Sequence, residues 1–383
     1  MDLSFLTPLY ERAGPWASVY ADTSTVDEST PERRELHARQ ACRDLLEQGA
    51  DEATGYAVYD ALASYTHSAA PAGRAVFAHG GEVVLDPPLA IRPPVPVTSW
   101  SVLPRVGPLL GLAGEEPVCL VAYVDRKGAD FELRTTLGSR PAGQIHGEEW
   151  PLHRTASDDW SERHFQLKVE NTWEQNARDT AEALSACQEE TRAGLVVLAG
   201  DERERRAVHD ALPQRLQPLT IETGHGGRSA GADTRLLDED VERARQEHAR
   251  RHAAAELERF RAARDPSVDG GIVVAAEGVP ALVDAAREHR ISELLVDPDG
   301  PDAAREVWVG DEPDQLAVRR TDARYLSERE PHTARADDAL LRSAAMTGAE
   351  AVMVPPAGDD APDIAGPAGG LGALLRWSRP DGT

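Results

Sequence analysis

Lysine is nearly missing from this sequence: of its 41 lysines and arginines, only Lys127 and Lys168 are lysine. Cysteine is scarce as well. Cys42, Cys119 and Cys187 stand far apart, in no metal-ligand spacing, and read as reduced thiols of a cytoplasmic protein rather than as a disulfide framework. No apolar run approaches the ~20 residues that cross a bilayer. Met1-Asp2-Leu3-Ser4-Phe5 lacks the basic start and apolar stretch of a secretory signal. A membrane partner, a bound metal and a cofactor are therefore not expected. Positive charge is in deficit overall, with a formal net charge of -25. Nucleic-acid phosphates call for clustered cations, so this balance speaks against DNA binding and confines any RNA contact to a local patch.

What is present is enough for ordinary cores. The chain has 383 residues, 41% of them hydrophobic, which corresponds to two or three domains. Strand and helix signals alternate throughout, giving an α/β class. In residues 1–114, Ala17-Ser18-Val19-Tyr20 reads as a strand and Pro31 to Gln48 as a charged helix. Arg74 to Ala78 and Glu82 to Leu85 flank Gly80-Gly81 as a hairpin. In residues 117–264, Val118 to Val124 and Gly194 to Gly200 are buried-strand runs, and Ala129 to Arg134 alternates like a half-exposed strand. A long polar loop is expected from Gly138 to about Asp159, a helix from Ser161 to Ala186, and a charge-laced connector helix from Asp233 to Ala263. In residues 268–383, a strand at Ile291 to Val296, helices near Pro280 to His289 and Ala336 to Thr347, and a glycine-rich end at Gly369 to Trp377 predict a small α/β/α sandwich.

This order of motifs resembles one family. In archaeal and eukaryotic class I release factors and in Pelota, the middle domain opens with a strand-turn-strand like Leu120 to Leu133. A loop carrying Gly-Gly-Gln, a long helix and a strand like Leu195 to Gly200 follow. A Gly-Gly segment like Gly226-Gly227 then leads into a last domain that ends in glycines, as Gly370-Leu371-Gly372 does here. The sequence looks most like the actinobacterial branch of bacterial release-factor-like proteins, which includes Balon-type ribosome hibernation factors and relatives described as peptidyl-tRNA hydrolases. The resemblance spans nearly the whole chain. It implies three α/β domains arranged as in those proteins, and the ribosome as partner, near the ribosomal RNA of the peptidyl-transferase centre. It also implies contact with an elongation-factor GTPase.

The family's Gly-Gly-Gln sits just before the long helix, where glycines let the backbone take unusual conformations. Here the matching stretch is Ser157-Asp158-Asp159-Trp160-Ser161-Glu162-Arg163-His164, with no glycine and with Glu162 about where the glutamine stands. The family's hydrolytic chemistry is thereby put in question. Glu162 has two readings: a general base for water, with Gln166 one helical turn on, or a helix-capping carboxylate paired with Asp159. Arg154, Trp160, Arg163, His164 and Lys168 are the residues expected to touch RNA, the indole by stacking and the cations by meeting phosphate. Ala142-Gly143-Gln144 resembles a degraded Gly-Gly-Gln but lies too far before the helix.

Two further patterns have plainer readings. His248 and His252 are four apart, a zinc-compatible spacing with no third ligand nearby, and read as solvated histidines. Gly224-His225-Gly226-Gly227-Arg228 lacks the ending of a phosphate-binding loop and reads as a hinge. Neither Asn-Ile-Lys-Ser nor Tyr-x-Cys-x-x-x-Phe, the family's stop-codon-reading motifs, occurs in the N-terminal segment, so codon-specific termination is not expected. Three functions stay open: a non-catalytic ribosome-binding factor, a peptidyl-tRNA hydrolase, and an acidic protein-interaction scaffold.

Overall fold

A computed structural model describes residues 1–23, 31–64, 73–89, 92–113, 117–135, 138–146, 159–228, 234–265, 273–325, 330–354 and 366–378. Side chains of residues 31, 33 and 159–172 lie outside the description. The fold is mixed α/β. The sequence suggests three domains, whereas contacts divide the chain into two compact units. One holds residues 1–115 together with 251–383, and the other holds residues 116–250. Among the described residues, no helix is long and apolar enough to cross a membrane.

The N-terminal segment runs α1 (Thr7–Tyr10), β1 (Trp16–Asp22), α2 (Pro31–Glu47), α3 (Glu52–Ala63), β2 (Gly73–His79), β3 (Glu82–Leu85), β4 (Pro88–Leu89), β5 (Val97–Ser101) and α4 (Gly107–Ala113). Its sheet has the order β3-β2-β1-β5, with β4 also on β2. The expected hairpin is β2–β3. Gly80 and Gly81 have φ of 57° and 81°, a backbone that closes a two-residue turn and that side chains resist. Helix α3 was not legible as a separate element; it starts at Asp51, whose carboxylate accepts the Thr54 N–H at 2.9 Å.

The central unit runs β6 (Cys119–Asp125), β7 (Gly128–Thr135), β8 (Gly138–His146), α5 (Asp159–Thr191), β9 (Leu195–Gly200), α6 (Glu202–Ala211), β10 (Thr220–Thr223) and the first part of α7 (Thr234–Arg264). Sheet order is β10-β9-β6-β7-β8. Strand β9 is parallel to β6 and β10, and the β6-β7-β8 meander is antiparallel. The uninterrupted apolar runs of β6 and β9 follow from burial on both faces. Leu120, Val124, Val196 and Leu198 pack toward Leu184 of α5 and Val208 of α6. Cys119, Val121, Val197 and Ala199 pack toward Leu237 and Val241 of α7.

One expectation is corrected here. The supposed loop after Gly138 begins with β8, an edge strand whose polar sequence carries no alternation. Pro141 is tolerated at such an edge, beside a register shift between Phe131 and Glu132. The Ala142-Gly143-Gln144 triplet is part of β8, with Gly143 opposite Phe131 and Gln144 opposite Asp130.

The C-terminal segment runs β11 (Ala275–Glu277), α8 (Val279–Arg287), β12 (Ile291–Val296), β13 (Glu306–Val309), β14 (Leu316–Ala317), α9 (Arg320–Arg324), β15 (His332–Arg335), α10 (Ala336–Met346), β16 (Glu350–Met353) and β17 (Leu371–Leu375). These strands form a sheet β11-β17-β12-β16 and a small sheet β14-β13-β15. The glycine-rich end supplies β17 and the turn before it. A Cβ on Gly370 would lie 2.8 Å from the Gly300 Cα, so the two backbones meet only because both are glycine.

N- and C-terminal segments share one core. Leu3, Leu6, Leu109 and Leu110 join Val279, Leu282, Leu340 and Leu341 in a single buried cluster. The Ala351 N–H donates to the Met1 carbonyl at 3.0 Å. The Arg105 guanidinium lies 2.7 Å from the buried Asp337 carboxylate and 3.2 Å from that of Asp338. Asp338 also accepts the N–H groups of Val106 and Gly107 at the start of α4.

Candidate nucleic-acid interface

Helix formation reaches further toward the N-terminus than the sequence suggests. Asp159 is already helical, so Trp160, Glu162, Arg163, His164, Gln166 and Lys168 all occupy the first turns of α5, with Glu162 and Gln166 one turn apart. Arg154, Ser157 and Asp158 lie outside the described residues.

Beyond this start, α5 contributes Trp173 to a cluster that sequence reasoning missed. The Arg126 guanidinium, on the β6–β7 turn, sits 4.7 Å from the indole centroid, and that of Arg203, on the first turn of α6, sits 4.9 Å from it. Arg126 is fixed twice more. Its Nε lies 3.0 Å from Glu204 Oε1, and its carbonyl accepts the Asn176 amide at 3.0 Å. Asn176 is buried on α5 because this bond satisfies it in the interior. A cavity of about 250 Å³ opens between the β6–β7 turn, α5 and α6. The signal available in sequence was a tryptophan inside a charged helix, which no local pattern connects to arginines 47 residues before it and 30 after it.

The glycine segment after β10 is tied to the same turn. Arg228 Nη1 lies 2.9 Å from Asp125, and its Nε and Nη2 grip Asp130 at 2.9 and 3.1 Å. These bonds hold the Arg228 pKa above the ordinary arginine value, the Asp130 hydrogen bond contributing most. The one cation of Gly224 to Arg228 is thus engaged with carboxylates rather than presented to a phosphate. Beside it, Asp240 accepts from the Thr223 hydroxyl at 2.5 Å and lies 2.8 Å from His225 Nδ1; the Thr223 bond leads in holding its carboxyl below the usual range.

Among the described residues, no three His, Cys, Asp or Glu gather as a metal site. His252 faces Glu256, one turn along α7, at 3.9 Å. All three cysteines are buried, and burial pushes the Cys119 thiol up to about 12.

Comparison with known proteins places these elements. The sequence model of the bacterial archaeo-eukaryotic release factor family 2 matches residues 118–266. Two Mycobacterium tuberculosis proteins described as uncharacterized are each 29% identical over 371 residues, covering 95% of this chain and 94% of theirs. A model of ribosome-bound archaeal Pelota with ABCE1 is 13% identical with a TM-score of 0.39, covering 99% of this chain and 95% of that one. Saccharomyces cerevisiae Dom34, described as a translation termination-like factor interacting with Hbs1, is 12% identical with a TM-score of 0.37; the match covers 69% of this chain and 65% of Dom34. The archaeal termination factor aRF1 is 15% identical with a TM-score of 0.25, over 97% and 96% of the two chains. The sheet β10-β9-β6-β7-β8 with α5, α6 and α7 lies within residues 118–266, the stretch of this chain that is similar to the bacterial archaeo-eukaryotic release factor family 2.

Proposed function

We propose that this protein is a cytoplasmic translation factor that binds the ribosome's tRNA-accepting site during hibernation or stress without releasing the nascent peptide. The observation that carries the reading is the family match over residues 118–266 combined with the residues at the start of α5. The positions corresponding to Gly-Gly-Gln hold no glycine, and from Asp159 onward they are wound into a regular helix. A glycine tip can adopt unusual backbone shapes beside RNA; a helix of Asp, Trp, Ser and Glu cannot. In this reading Arg154, Trp160, Arg163, His164 and Lys168 meet ribosomal RNA, and an elongation-factor GTPase is a partner.

Sedimentation with bacterial ribosomes at about 100 mM salt is the test. The protein should travel with the ribosome, and the Arg163→Glu, Lys168→Glu double variant should lose association by roughly tenfold as phosphate contacts turn repulsive. Wild-type protein left in the supernatant at this salt would remove the proposal.

A second reading, peptidyl-tRNA hydrolysis, is favoured by Glu162 and Gln166 standing one turn apart on α5. Stalled ribosomes carrying labelled peptidyl-tRNA separate the two. The first reading expects the ester to stay intact after prolonged incubation. Cleavage that disappears in Glu162→Gln would install the second in its place.

A further inference from the structure

We propose that the cavity beside Trp173 is a binding site for a single nucleotide, presented either free or as an unstacked residue of an RNA strand. This goes beyond ribosome binding and does not depend on it. Three features define the ligand class.

The first is flat surface. Arg126 and Arg203 are held at 4.7 and 4.9 Å from the indole of Trp173. With the guanidiniums lying over the indole, their own planes are the surfaces on which an unstacked base would lie.

The second is a neutral polar wall above an apolar floor. Val124, Ala177 and Val208 line the interior, and Asn176 and Thr180, 6% and 2% exposed, stand one turn apart on α5. The Asn176 amide nitrogen donates to the Arg126 carbonyl. Its carbonyl oxygen and the Thr180 hydroxyl then supply an acceptor and a rotatable donor, groups suited to a base edge.

The third is the state of the carboxylates. Glu204 is paired with Arg126 at 3.0 Å, Asp125 with Arg228 at 2.9 Å and Glu174 with Arg178 at 3.2 Å. A cation or a metal would have to displace an arginine from one of them. An anionic phosphate at the mouth would instead meet guanidinium N–H groups other than the Arg126 Nε that Glu204 takes, since each guanidinium carries five donors. The volume, about 250 Å³, admits one base rather than a stack.

The test uses the full chain. AMP, GMP, CMP and UMP are titrated separately by calorimetry, and a labelled single-stranded RNA of about ten nucleotides by fluorescence polarisation, at about 100 mM salt. At least one probe should bind. Ala207→Trp, which fills the cavity from an exposed position on α6, and Arg203→Ala should each weaken binding at least tenfold with unchanged thermal melting. Should Ala207→Trp fail to fold, the exposed Arg203 variant carries the comparison.

Mononucleotide binding identifies the free ligand as a source; RNA binding with silent mononucleotides identifies RNA. Silence of every probe, or binding that both folded variants retain, overturns the site. Ribosome sedimentation reads separately. A protein that binds nucleotide but ignores ribosomes keeps this site and loses the previous proposal, and the reverse result does the opposite.

Discussion

Replacing Arg105 by alanine should destabilise the N- and C-terminal unit by about 3–5 kcal/mol, the scale seen when one partner of a buried ion pair is removed. Asp337 and Asp338 are 0% and 3% exposed, and Arg105 contacts both. Arg335 compensates partly, lying 3.0 Å from Asp337 and 4.0 Å from Asp338. Without Arg105, the buried Asp337 and Asp338 keep Arg335, a partly exposed cation, in place of two. Chemical denaturation of the variant measures this; a loss below about 1 kcal/mol would show that the cluster is solvated enough to dispense with the arginine.

The same cluster sets a pH dependence. Burial and the neighbouring Asp337 charge push Asp338 up to about 7, from an ordinary value near 3.8. Between those values the folded state holds a proton that the unfolded chain has released, so the contribution of Asp338 to stability is complete at low pH and is lost as pH rises toward 7. The slope is at most ~1.4 kcal/mol per pH unit for this one group. Asp338→Asn, which keeps an oxygen for the Val106 and Gly107 N–H groups, should therefore flatten the wild-type decline between pH about 4 and 7.

The second large effect lies in the central sheet. Gly128 opens β7 with φ of 137°, and a Cβ there would stand 2.0 Å from the Ile145 carbonyl oxygen of β8. That oxygen belongs to backbone in a paired strand and has little room to retreat. Gly128→Ala combines strained backbone with a collision inside the three-strand meander, and a loss of about 3 kcal/mol or more is expected. Gly227→Ala is the matched control. Its Cβ would meet nothing within 4 Å and its φ is not left-handed, so its melting temperature should stay near wild type. Equal melting of the two variants would refute the argument.

The sequence announced elements whose pattern is local and missed those fixed at a distance. The runs at Val118 to Val124, Leu195 to Gly200 and Ile291 to Val296 became β6, β9 and β12 because continuous burial leaves a continuous apolar signature. The Gly80-Gly81 hairpin was readable because its turn chemistry is contained in two residues. β8 was not, since an edge strand needs no apolar face to be paired. Trp173 with Arg126 and Arg203, and Arg105 with Asp337, join positions that only the folded chain makes neighbours. The shared core of the N- and C-terminal segments was equally hidden, because each segment alone reads as an ordinary α/β layer.

That shared core has a consequence for synthesis. Leu3, Leu6 and Leu9 are made early, but α10, against which their segment packs, is made only after residue 335. At roughly 5–20 residues per second, the early leucines wait on the order of ten seconds or longer before that core can close. The central unit, drawn from one uninterrupted stretch, faces no such delay. During synthesis there is therefore an interval in which the stretch forming the central unit is complete while these leucines still lack α10.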